Sequence, residues 1–66
     1  MNYYAVQIFF QDEFIKANYK SKLLFKDLAY NYVVVNYKGK NRVGIMIAKI
    51  TKPNYECKEI IKILEV

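Results

Sequence analysis

Residues 31–52 read NYVVVNYKGKNRVGIMIAKITK, and how this stretch is parsed decides the fold. Two runs of β-branched and aromatic residues, 32–37 and 42–50, flank the polar tetrapeptide Lys38-Gly39-Lys40-Asn41. Strand formers on both sides of a short loop, with a Gly free to take positive φ, are a hairpin signature. Both runs are apolar at nearly every position: Val33, Val34 and Val35 are consecutive, and so are Ile45, Met46 and Ile47. Such runs fit strands buried on both faces at the centre of a rolled-up sheet. Val34, Ile45 and Ile47 are therefore expected among the most buried residues.

Upstream, residues 3–10 (YYAVQIFF) form a first strand, with Tyr4, Val6, Ile8 and Phe10 on one face and Tyr3, Ala5, Gln7 and Phe9 on the other. Gln11-Asp12-Glu13 is a polar turn. Residues 14–25 alternate again: Ala17, Tyr19, Ser21 and Leu23 point one way, and Lys16, Asn18, Lys20 and Lys22 the other. That lysine stripe reads either as edge protection against strand pairing or as a phosphate track. Residues 25–30 are a connection with room for one helical turn. Downstream, Thr51-Lys52-Pro53-Asn54 ends the second hairpin strand, because Pro cannot continue a ladder. The tail carries two patterns. Cys57, Ile60, Ile61 and Leu64 have helical spacing, whereas the isoleucines and the Ile61/Ile63 alternation favour a strand. A turn or short helix over 54–58 followed by a closing strand over 60–64 accommodates both. The expected fold is mainly all-β: one domain over residues 1–66, a small five-stranded SH3- or OB-like barrel or a strongly curled antiparallel sheet.

Sixty-six residues hold one small core, and a single Cys with no His excludes an internal disulfide and the usual zinc spacings. A composition 55% hydrophobic and 17% aromatic leaves the apolar core and self-association as the sources of stability, so a homo-oligomer is expected. The net charge of +5, from ten Lys and Arg42 against six acids, favours anionic partners; it equally serves the solubility of a very apolar domain. Residues 1–10 lack a basic n-region and a cleavage site, and no run reaches membrane-span length, so a cytoplasmic protein is expected.

Catalysis has little to work with. There is no His and no Gly-rich phosphate loop, Asp12 and Glu13 are neighbours in a turn, and Cys57 fits a small core position. A non-enzyme without cofactor or metal is expected. Gly44, inside a bulky strand, marks a barrel bend, a close backbone approach, or a ligand lying against exposed backbone. The more suggestive constellation is basic and aromatic: Lys38, Lys40, Arg42, Lys49 and Lys52 fall between Tyr37 and Tyr55, with no acid from residue 28 to 55. Lysines that track phosphates beside tyrosines that stack bases suit a nucleotide or single-strand binder. Arg42 is the first candidate for a phosphate contact, because its guanidinium can hold two oxygens. Lys38 and Lys40 lie in the hairpin loop, and Tyr37 is the stacking candidate. The opposing view is that the charges are solvated and Tyr37 seals the barrel end.

The order of segments resembles the N-terminal 3′-DNA-binding β-domain of the primosomal replication-restart helicases and small stand-alone phage proteins of that fold. Residues 4–10 resemble its first strand, Ala17-Asn18-Tyr19 sits at an aromatic-Asp-Tyr position, and Tyr32-Val33-Val34-Val35 looks like its valine strand. Arg42-Val43-Gly44-Ile45-Met46-Ile47 is similar to its Arg-[Ile/Val]-Gly-Ile-Val-Val strand, and residues 57–65 to its last. The family's Asp is Asn18 here, its preceding aromatic is Ala17, and its turn Gly is replaced by Tyr30-Asn31. The resemblance implies a free-standing, phage- or mobile-element-encoded barrel and adds Asn18, Tyr19 and Lys20 to the ligand-binding candidates. Two classes of function follow. One is a module binding a nucleotide signal or single-stranded nucleic acid, which could sequester a host defence nucleotide. The other is an inhibitor docking an apolar, Tyr-rich surface on a host protein.

Overall fold

A computed structural model describes residues 1–22 and 31–64. Six strands form one strongly curled sheet: β1 Asn2–Phe10, β2 Glu13–Ser21, β3 Asn31–Tyr37, β4 Lys40–Ile50, β5 Lys58–Glu59 and β6 Lys62–Leu64. The spatial order is β5-β2-β1-β4-β3-β6. No helix occurs among the described residues. The connection over 25–30, with its expected helical turn, and the end of the second expected strand at 23–25 lie outside them.

Two hairpins make the body of the sheet. In the first, β1 and β2 pair antiparallel from Asn2↔Ser21 to Phe10↔Glu13. In the second, β3 and β4 pair from Asn31↔Met46 to Tyr37↔Lys40, the antiparallel pairing anticipated from the sequence. The expected four-residue loop is tighter than that: Lys40 and Asn41 join the ladder, leaving a two-residue turn with Lys38 at φ 53° and Gly39 at φ 78°. Two consecutive positive φ values define the turn whose twist matches the flanking strands. The hairpins join through β1 and β4, antiparallel from Tyr3↔Ile50 to Ile8↔Gly44, with a bulge that leaves Ile47 unopposed between Met46 and Ala48.

The barrel-like closure comes from the tail. β5 runs parallel to β2 at Tyr19↔Lys58 and Lys20↔Glu59, and β6 antiparallel to β3 from Tyr32↔Leu64 to Val34↔Lys62. Between them, Ile60 N donates to Lys20 O and Ile61 N to Val34 O, each at 2.9 Å. One kinked segment thus serves both edges of the sheet: of the expected turn or short helix over 54–58 the turn forms, as bends at Asn54 and Tyr55, and the expected closing strand over 60–64 is ladder-paired only as β6, with β5 lying before it. The first strand's side-chain directions match expectation, and those of β2 match within its described length.

The core lies on the concave face. Tyr4, Val6, Ile8, Val33, Val35 and Met46 are wholly buried, with Tyr19 and Ile60 beside them and Ala17, Tyr37 and Ile63 packed against them. Burying each large apolar side chain contributes about 1.5–3 kcal/mol. The central strands are therefore not buried on both faces. Val34 and Ile45 are half-buried and Ile47 is exposed, whereas Val33, Val35 and Met46 take the core positions expected of them. Register explains the correction: β1 commits Val6 and Ile8 inward, and their β4 partners are Met46 and Gly44. Gly44 in turn faces Val33.

Candidate ligand-binding cleft

The tail segment closes only part of the gap between the sheet edges. On that side β2 is paired at Tyr19 and Lys20, and β3 at Tyr32, Val33 and Val34. Residues 16–18 of β2 and 35–37 of β3 have no strand neighbour there, and between them opens a cleft of about 360 Å³. Its size lies at the low end of small-molecule sites, which span about 300–1,000 Å³. Lys16, Ala17, Asn18 and Tyr19 form one wall, Asn36, Tyr37 and Lys38 the other, and residues 55–58 run across.

Polar links tie the walls together. The buried Tyr19 hydroxyl donates to Asn36 O at 2.8 Å, spanning two strands at opposite sides of the sheet order. Burial, and secondarily the Tyr37 phenol, pushes the Tyr19 phenol above its ordinary pKa, so at neutral pH it remains a donor. Lys58 Nζ donates to Asn36 Oδ1 at 2.9 Å, and Asn18 Nδ2 to the Tyr55 hydroxyl at 2.6 Å. Lys20 Nζ meets Glu56 Oε1 at 2.6 Å. With Glu56 paired in this way, Lys16, Lys38 and Lys58 give the cleft a positive balance.

A second stack stands behind Tyr37. Its ring meets Phe10 edge-on at 5.2 Å between centroids, and the Arg42 guanidinium lies 4.6 Å over the Phe10 ring. Arg42 Nε donates to Tyr37 O at 2.9 Å, while Lys38 Nζ sits 5.8 Å from the Tyr37 centroid. Tyr37 thus both packs against the core and faces the cleft.

Four of the seven residues singled out from the sequence, Asn18, Tyr19, Tyr37 and Lys38, line this cleft although they come from separate hairpins. Arg42 stands one layer back as the brace of Tyr37, Lys20 is engaged by Glu56, and Lys40 is exposed outside the lining. Gly44 is buried against β1, so the reading of its backbone as a ligand platform is not met. Asn36 and Lys58 were not singled out as ligand candidates, and Lys16 only within the candidate phosphate track of β2. Lys16 belongs to the lysine stripe, but Asn36 and Lys58 had no local signal, since only the chain's path brings them to the gap. Cys57 is buried, and among the described residues no group of His, Cys, Asp and Glu could hold a metal ion. Also among the described residues, no helix is long and apolar enough to cross a membrane. The chain matches no protein-family model, no curated protein and no solved structure.

Proposed function

We propose that the chain is a non-enzymatic binding module for a small anionic ligand bearing a base, either a nucleotide or the exposed nucleotides of a single strand. The observation that carries this reading is the meeting of Asn18 and Tyr19 with Tyr37 and Lys38 in one cleft flanked by Lys16 and Lys58. Each part has a chemical use. The lysines attract phosphate oxygens, Tyr37 offers a ring for stacking, and the Asn18 and Asn36 amides present donors and acceptors for a base edge. The unpaired strand edges add backbone N–H and C=O groups. A cleft of this volume suits one nucleotide at a time, and a module of this kind could withdraw a host defence nucleotide from circulation.

The test is a titration of ¹⁵N-labelled protein with AMP and, separately, with a short single-stranded oligonucleotide. Shifts are expected at Asn18, Asn36, Tyr37, Lys38 and Lys58, with affinity falling as salt rises from about 50 to 200 mM. Tyr37→Ala with Lys38→Ala should weaken binding about tenfold or more, equivalent to about 1.4 kcal/mol. Arg42→Ala should weaken it through Tyr37, and Lys40→Ala only slightly. Shifts confined to other surfaces, or none with either ligand, would overturn the reading.

A further inference from the structure

The convex side of the sheet carries a second surface, away from the cleft, that the binding reading leaves unused. Phe9 and Phe14 face each other across β1 and β2 with ring centroids 5.1 Å apart, and both are exposed, at 57% and 67%. The same row continues through Val43, 53% exposed, to its partner Val34. Beside it, Ile45 pairs with Tyr32. The outward strand positions of β1–β4 carry no carboxylate. Aromatic rings this exposed are unusual on a surface with no partner.

The area is that of an interface. Phe9, Phe14 and Tyr32 alone expose roughly 250–400 Å², taking about 150–250 Å² for each whole aromatic side chain, and Val43, Val34 and Ile45 add to it. A standard interface buries about 800 Å² per side, a little over half of it apolar, or about 450 Å². The molecule is flattened, 31 × 29 × 17 Å, so this face is broad.

The shape of the row chooses the occupant. It is bulky on the first hairpin, at Phe9–Phe14, and slight on the second, at Val43–Val34. The turn charges take no part, because Glu13 pairs with Phe10 and Lys40 with Tyr37 on the core face, and Lys38 lines the cleft. We propose that this face is the interface of a homodimer whose twofold axis runs along the strands between β1 and β4. That axis sets each first hairpin against the second copy's second hairpin. The Phe9–Phe14 pair then packs on the smaller Val43–Val34 pair, twice by symmetry. Face-to-face packing of twisted sheets with nearly aligned strands is a common arrangement.

Sedimentation equilibrium of the whole chain, from low to high micromolar concentration, tests this. The expected result is a mass approaching twice 7.9 kDa. Phe14→Lys should return the protein to monomer with an unchanged circular dichroism spectrum, because that ring is largely exposed. Val43→Lys should do the same, whereas Glu13→Lys and Lys40→Glu, on the opposite face, should leave the mass unchanged. A monomer at every concentration, or a dimer indifferent to Phe14→Lys and Val43→Lys, would overturn the proposal.

Discussion

Gly44 and Val6 approach so closely that a Cβ built on Gly44 would stand 2.5 Å from Val6 Cγ1 and 3.1 Å from Gln7 O. The glycine in β4 is thus a packing device: it lets β1 and β4 bring Val6, Ile8 and Val33 together over one point of the core. Gly44→Ala should destabilise the protein by about 1–3 kcal/mol through overpacking. Val6→Ala removes the nearer clash, so the double variant should lose less than the two single losses added. Urea denaturation of the four proteins checks this, and strict additivity would contradict the contact.

Core identity gives the second prediction. Met46→Ala should cost about 2–5 kcal/mol, because its wholly buried side chain leaves a cavity. Ile45→Ala, one position along, should cost only about 1–2 kcal/mol, since that side chain is already half in water. Equal losses, or the reverse order, would place the wrong face of β4 inward.

The first hairpin carries a local strain that can be relieved. Gln11 and Asp12 both adopt positive φ, 51° and 62°, a conformation costing ordinary residues about 1–2 kcal/mol each. Asn followed by Gly is the pair that this turn type favours. Gln11→Asn with Asp12→Gly should therefore stabilise by about 1 kcal/mol, the glycine's added unfolded-state freedom offsetting part of the gain. The denaturation midpoint should rise with an unchanged slope.

The Lys20–Glu56 pair predicts a pH dependence. Its hydrogen bond, then its charge, holds Glu56 below the ordinary carboxylate value of 4.5 and Lys20 above the ordinary 10.5. The depressed Glu56 favours the folded state above about pH 4.5, a contribution lost as pH falls through its lower folded value. The raised Lys20 contributes fully below about pH 10.5 and loses that contribution as pH rises through its folded value. Tyr19, also raised, adds to the same alkaline loss above about pH 10. Melting temperatures across pH should show both limbs. Glu56→Gln should flatten the acid limb, by a small amount because the carboxylate is exposed, and raised salt should reduce the wild-type difference.

What the sequence by itself determined was local. The hairpin over 31–52, the strand at the N-terminus and the Pro53 break follow from alternation, β-branching and turn chemistry, which act within a few residues. Which face of β3 and β4 turns inward was decided only by tertiary structure. Where Val33, Val34 and Val35 are chemically alike, burial either way is equally favourable locally, and a one-residue change of register exchanges the faces. Pairing with β1, whose own alternation is clear, made the choice for Met46 and thereby for Val33 and Val35. The cleft divides in the same way. Tyr37 and Lys38 were legible as a basic-aromatic turn, and Asn18 and Tyr19 through a resemblance, but each cluster lay on its own hairpin. Their meeting depends on the tail kinking between Glu59 and Lys62 and pairing with β2 on one side and β3 on the other. Those hydrogen bonds are satisfied by backbone groups, which every residue carries, so no side-chain pattern could announce them.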